Sequence, residues 1–206
     1  MKKFGFTLTE LLLSMTILGV IGAVAVSSVN KILPDKDKAI VLKVYKTVSD
    51  INNEMFTNPS LYIMDSSCTK ILLCTAAPMD GKHSNCTGTD KYPYLLGSHL
   101  ILDNEGAISK TEGTENKYSF TTEDGIAWEL TAKADGSYKI KIDTKRGDRS
   151  ACFFDSDSCQ KPRLFEFDLS NGGVLSGSDN LTKAYLQNPS NLNDRKNDLN
   201  KAATME

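Results

Sequence analysis

The sequence predicts an α+β chain: a long amino-terminal helix, membrane-spanning in its first half and amphipathic in its second, packed on an antiparallel β-sheet. Three observations predict it. From Leu11 to Val29 every residue is apolar or small and none carries a formal charge. Ala39, Leu42, Tyr45, Val48, Ile51 and Met55 then recur at helical spacing. Further on, from Tyr118 to Leu169, apolar and polar residues alternate in short runs between turn signals.

The chain of 206 residues has room for one ordinary domain plus a tether or tail. Its net charge of −2 and pI near 5.8 give no reason to expect nucleic acid as a partner. The mean hydropathy of −0.30 averages a membrane-like start with a polar body.

Met1, Lys2 and Lys3 form a short basic start, followed by Phe4-Gly5 and Phe6-Thr7-Leu8-Thr9-Glu10. At about 1.5 Å per residue, Leu11 to Val29 nearly crosses a hydrocarbon core of roughly 30 Å, and adding Phe6 to Glu10 completes the span. Lys2 and Lys3 precede it and the next basic residue is Lys31, which places the start in the cytoplasm. Three architectures fit such a segment. Ala23-Val24-Ala25 offers a secretory cleavage site. The whole span is also consistent with an uncleaved signal anchor. The third is a short leader cut between Gly5 and Phe6, with the apolar helix retained.

Glu10 selects the third. A carboxylate inside an apolar span costs about 2.5–3.5 kcal/mol on insertion scales, and neither of the first two architectures uses it. In the third, Glu10 lies four residues beyond a new amino terminus at Phe6. When such helices pack together, the ammonium of one subunit meets the carboxylate of its neighbour, and a buried charge with a partner is tolerated.

These residues carry a family resemblance. Lys2-Lys3-Phe4-Gly5 followed by Phe6-Thr7-Leu8-Thr9-Glu10-Leu11 resembles the prepilin cleavage and methylation motif. Type IV pilins, type II secretion pseudopilins and competence pilins share it. The resemblance implies a leader ending at Gly5, an N-methylated mature terminus at Phe6, and an assembly role for Glu10. Gly19 falls on a glycine frequent in the family's helix, whereas Ser27 stands where many members carry a proline. The likeness covers about the first thirty residues.

Pro34 interrupts the apolar pattern, and an amphipathic helix is expected from about Asp35 to Phe56, its stripe packing under the domain's own sheet. Asn58-Pro59 closes it. A loop region reaching about Pro93 holds Cys68, Cys74 and Cys86. A loop of that length needs pinning, and disulfides suit an exported chain. Six helical residues separate Cys68 from Cys74 by about 9 Å, too far to bridge, so Cys86 is expected to pair with Cys74 or Cys68. Cys152 and Cys159 flank a short loop and are the first pair expected. With five cysteines, at least one has no partner within the chain. Without paired C-x-x-C spacings, and with His83 and His99 as the histidines, a zinc site is poorly supported.

The strands begin near Leu100-Ile101-Leu102, with a turn at Asp103 to Gly106 and Ala107-Ile108 beyond it. Tyr118 and Phe120, then Ile126, Trp128 and Leu130, then Tyr138, Ile140 and Ile142, then Phe165, Phe167 and Leu169 each alternate with polar neighbours. Asp135-Gly136 reads as a hairpin turn. One face packed and one wet describes an antiparallel meander. Asp124-Gly125, Ile140 to Gly147 and Leu164 to Leu169 also resemble, more weakly, a pilin-like pattern of paired strands, aspartate-rich loop and aromatic strand. The resulting division is a leader at 1–5, an apolar helix at 6–33, an amphipathic helix at 34–57, a pilin-like domain at 58–175 and a polar, flexible tail at 176–206. Disorder or short loose helices are expected in the tail, with Leu181, Tyr185 and Leu186 forming one docked turn.

No catalytic set stands out: two histidines without a nucleophile motif make no triad, and there is no phosphate-binding glycine loop. No cofactor is expected. Asp143, Asp148, Asp155 and Asp157 span fifteen residues and are weak calcium candidates. Lys145, Arg146 and Arg149 among them favour a solvated loop. Lys91, Lys110, Lys117, Lys139 and Lys141 suggest a basic patch, for which plain solubility is the simpler account.

The resemblance implies a structural subunit of a type IV pilus, a competence filament or a type II secretion pseudopilus. Its partners are then copies of itself, other pilins or pseudopilins, a prepilin peptidase and an inner-membrane assembly platform. The chain would sit in the inner membrane with its domain outside the cytoplasm, then enter a periplasmic or extracellular filament. The competing class is a membrane-tethered periplasmic binding module that never polymerises.

Overall fold

The computed structural model describes residues 15–16, 35–58, 60–61, 88–102, 108–145, 151–154, 159, 162–192 and 195–205. The first long element is helix α1, Lys36–Thr57. Asp35 caps it, accepting bonds from the backbone N–H groups of Asp37 and Lys38 at 3.1 and 3.4 Å. Asp35 itself is extended, with φ −61° and ψ 107°. The amphipathic helix expected from about Asp35 to Phe56 is thus present at Lys36–Thr57.

The buried stripe of α1 is Lys38, Val41, Val44, Val48, Ile51, Asn52 and Met55. Ala39, Leu42 and Tyr45, expected on that stripe, are half-buried at its margin. The difference arises because Lys38 and Asn52 are buried as polar residues, so counting apolar residues alone rotates the face.

A 3₁₀ turn at Gly88–Asp90 leads into helix α2, Lys91–His99, so the loop expected up to about Pro93 gives way to helix before that residue. Pro93 lies in its first turn, where a missing N–H costs nothing. Tyr92, Leu95 and Leu96 of α2 are buried.

Six strands follow: β1 Ser109–Thr111, β2 Lys117–Thr121, β3 Ala127–Ala132, β4 Tyr138–Asp143, β5 Leu164–Leu169 and β6 Leu175–Gly177. They form one sheet in the order β1-β2-β3-β4-β5-β6, every pair antiparallel, as a meander requires. Leu102, expected in a strand, makes a single bridge to Thr122, and the expected turn at 103–106 lies outside the described residues. Gly136, with φ 84°, closes the β3–β4 hairpin beside Asp135, whose carboxylate accepts the Ser137 N–H at 2.9 Å.

Alternation separates the faces of the sheet. Tyr118, Phe120, Trp128, Leu130, Tyr138, Ile140, Ile142, Phe165, Phe167 and Leu169 join the buried face of α1 in one hydrophobic cluster. At about 1.5–3 kcal/mol for each large side chain removed from water, this cluster is the main stabilising term of the domain.

The carboxyl-terminal end differs most from expectation. The expectation for residues 176–206 is a polar, flexible tail with disorder or short loose helices. Instead they contain most of β6, helix α3 (Asn180–Gln187) and helix α4 (Arg195–Ala203). Leu181, Ala184 and Tyr185 are fully buried, as is Ala202 of α4. Asp179 caps α3 by accepting the Thr182 N–H at 2.9 Å. Few apolar residues suffice here because they fall on one face and are supplemented by buried polar pairs.

Candidate functional site

Among the described residues, those singled out by the sequence do not come together in one place. Gly5, Phe6 and Glu10 lie outside the described residues, as does most of 6–33; Met15 and Thr16 are helical. Among the described residues no helix is long and apolar enough to cross a membrane. Beyond Thr16, the next described residue is Asp35, at the start of the domain.

That entry point is densely bonded. The Asp35 N–H donates to the Leu192 carbonyl at 2.9 Å, and the Tyr185 hydroxyl donates to the Asp35 carboxylate at 2.9 Å. The Thr144 hydroxyl donates to Asp37 at 2.6 Å. The Lys38 ammonium donates to the Asn191 carbonyl at 2.8 Å and to the Asp198 carboxylate at 2.5 Å. The side chains of Lys38 and Asp198 are 0% and 2% exposed. The ammonium also lies 5.5 Å from the centroid of the Tyr185 ring. Sequence reasoning missed this cluster, since an isolated Lys38 and an isolated Asp198 both read as solvated charges. The one available signal was Tyr185, the single aromatic residue of the polar end.

The far end of α1 is held by Asn52. Its amide nitrogen donates to the Gly173 carbonyl at 3.1 Å, and its oxygen accepts the Tyr92 hydroxyl at 2.8 Å. Tyr92 stacks obliquely on Tyr138 with centroids 5.1 Å apart. Tyr138 donates to the Thr89 carbonyl at 2.8 Å, and Tyr118 donates to Asp90 at 2.5 Å. These tyrosines anchor the 3₁₀ turn to the sheet.

Burial, helped by the bond to Asp90, pushes the Tyr118 hydroxyl up to about 12 from 10.0. Burial also raises Tyr92 and Tyr138. A raised folded-state value means that this contribution to stability is complete below pH 10 and is lost as pH rises through about 12. Melting temperature measured across that range is expected to fall as tyrosinate absorbance appears. A Tyr118→Phe variant is expected to show a shallower fall.

Of the calcium candidates, Asp143 accepts bonds from the Arg163 guanidinium at 3.2 Å and the Lys145 N–H at 3.0 Å. Asp148, Asp155 and Asp157 lie outside the described residues. Among the described residues no group of three or more His, Cys, Asp or Glu side chains is placed to hold a metal ion. Cys152 and Cys159 form the disulfide expected of them, with Cα atoms 5.8 Å apart. The Cys152 carbonyl accepts the N–H groups of Arg163 and Leu164 at 3.0 and 3.2 Å, so the clip is tied to the start of β5. Cys68, Cys74 and Cys86 lie outside the described residues.

The lysines suggested as a basic patch are interleaved with carboxylates. Lys110 meets Asp90 at 2.9 Å, Lys117 and Lys141 meet Glu129 at 3.8 and 3.3 Å, and Lys139 meets Glu166 at 3.2 Å. Sheet register creates this: Glu129, Lys141 and Glu166 sit opposite one another across β3, β4 and β5. The wet face therefore carries mixed charge.

A groove of about 480 Å³ lies between α1, the end of α2 and the β2–β3 turn, with Val44, Ile126 and Trp128 among its lining residues. Lys43 and Asp124, also in its lining, pair at 2.7 Å. Burial acts to raise the Asp124 carboxyl, but Lys43 and the Thr122 hydroxyl outweigh it and hold the group below its usual value. Ile101, 71% exposed, also lines it.

Residues 1–26 match the family described as the prokaryotic N-terminal methylation motif. The chain carries a prepilin-type amino terminus. This match supports the resemblance to type IV pilins and pseudopilins drawn from Gly5, Phe6 and Glu10. Nothing matches the chain among curated proteins or among solved structures. The methylation motif thus accounts for the amino terminus, while the domain from Asp35 onward is described by its own geometry.

Proposed function

We propose that the chain is a structural subunit of a type IV pilus or type II secretion pseudopilus. In this account a prepilin peptidase removes Met1 to Gly5 and Phe6 becomes N-methylated. The mature helix waits in the inner membrane with the domain outside the cytoplasm. It then assembles, with copies of itself and other pilins or pseudopilins, through an assembly platform. The observation that carries this is the methylation motif at residues 1–26, with Glu10 inside its apolar run. A helix lying beneath an antiparallel sheet is compatible with that role. The function is structural and uses no catalytic residue or cofactor.

Shearing separates this account from a tethered monomer. Filaments released from the cell surface, or periplasmic filaments after overexpression, are expected to contain the chain by immunogold labelling. Recovery of all of it in the inner-membrane fraction, in cells that assemble other filaments normally, would favour the tethered binding module.

A further inference from the structure

We propose that the carboxyl-terminal segment, Asp179 to Met205, clamps the joint between the amino-terminal segment and the domain, with Lys38, Asp198 and Tyr185 as positioning residues. The inference rests on the filament account above and adds to it the part that sets how the domain is carried.

The joint lies at Asp35. This residue is extended and caps α1. An uninterrupted helix would send the Asp35 N–H to a carbonyl one turn earlier; here it goes to Leu192. The carboxylate of the same residue both caps α1 and accepts the Tyr185 hydroxyl. One turn later, Lys38 reaches Asn191 and Asp198. The carboxyl-terminal segment therefore bonds both the cap and the first turn of α1.

Apolar packing does not by itself fix the roll or axial position of a helix, because it is non-directional. Directional bonds do. Apart from the exposed Lys43–Asp124 pair, the directional bonds described for α1 lie near its two ends: Asn52 with Gly173 and Tyr92 at the far end, and the Asp35–Lys38 turn at the near end. Two fixed points define a line, so releasing the near one lets α1 tilt about Asn52. A buried ion pair is a poor source of net stability compared with apolar residues of similar size, and its best-attested use is to fix register. Lys38 and Asp198, 160 positions apart in the chain, suit that use. In a filament built through the segment before Asp35, the angle at this joint decides whether neighbouring domains clear one another.

The test uses the full chain in cells that have its assembly machinery. Lys38→Met with Asp198→Leu replaces the pair by apolar groups. The folded domain is expected to melt at or above the wild-type temperature, while filament yield falls at least about tenfold. Amide exchange at Asp35 to Ala39 is expected to quicken relative to Val48 to Met55. Wild-type yield from the folded double variant would overturn the clamp. If that variant fails to fold, Tyr185→Phe keeps the ring packed against Phe165 and removes its bond to Asp35. A lower yield at unchanged melting temperature then supports the clamp, and wild-type yield overturns it. Absence of filaments from the wild type itself rejects the underlying filament account instead.

Discussion

Replacing Asp198 by alanine is expected to destabilise the domain by about 3–5 kcal/mol, because it strands the Lys38 ammonium without its charge partner. Lys38 has 0% side-chain exposure, so the released ammonium has no route to water without moving α4 or the start of α1. The Asn191 carbonyl and the Tyr185 ring remain beside it, and neither carries the compensating charge. In a domain of this size the loss corresponds to a fall in melting temperature of roughly 6–20 °C. Thermal unfolding followed by circular dichroism measures it directly. An exposed pair such as Lys43–Asp124 supplies the contrast, since surface ion pairs contribute about 0–1 kcal/mol. Asp124→Ala is therefore expected to cost far less than Asp198→Ala. Equal losses from the two variants would contradict the energetic ranking of the buried and exposed pairs.

Glu10→Ala is expected to abolish filament assembly while leaving the sheet domain folded. The proposal places the Glu10 carboxylate against the Phe6 ammonium of a neighbouring helix, in surroundings free of other charge from Leu11 to Val29. Breaking a buried charge pair by removing one member costs about 3–5 kcal/mol, because the other charge stays buried. At 1.4 kcal/mol per decade, that is more than about a hundredfold in each subunit's association constant. Folding is expected to be unaffected, since the core of the domain is built from residues beyond Asp35. Sheared-filament yield and domain melting temperature, measured together, separate the two effects. Filaments of normal yield and length from this variant would remove the assembly role assigned to Glu10.

The contrast between these two residues shows what the sequence conveyed and what it concealed. The amino-terminal motif, matched at residues 1–26, was legible because a lone carboxylate at Glu10 stands out among uniformly apolar neighbours. Strands β2 to β5 were legible for a similar reason: period-two alternation at Tyr118–Phe120 or Tyr138–Ile142 leaves a single way to bury one face. The Cys152–Cys159 clip followed from seven-residue spacing across a short loop. Asp198 was concealed because its partner is 160 positions away, and its own surroundings, Lys196-Asn197 and Asn200-Lys201, are polar. The same holds for α3 and α4, where a few buried side chains are held by caps and charge rather than by a long apolar stripe. Helix α2 escaped notice because nine residues containing a proline and a glycine give little periodicity. For Lys38 and Asp198 the decisive interaction was long-range and polar, a kind that local hydrophobic patterning does not register.

The account stands on the processing of the amino terminus. Intact-mass and peptide mass spectrometry of the mature chain, recovered from its own cells, tests this most directly. The predicted result is a chain that begins at Phe6 with a methyl group on its amino nitrogen. A mature chain beginning at Val26, after Ala23-Val24-Ala25, or one retaining Met1 to Gly5 in assembled material, would contradict it.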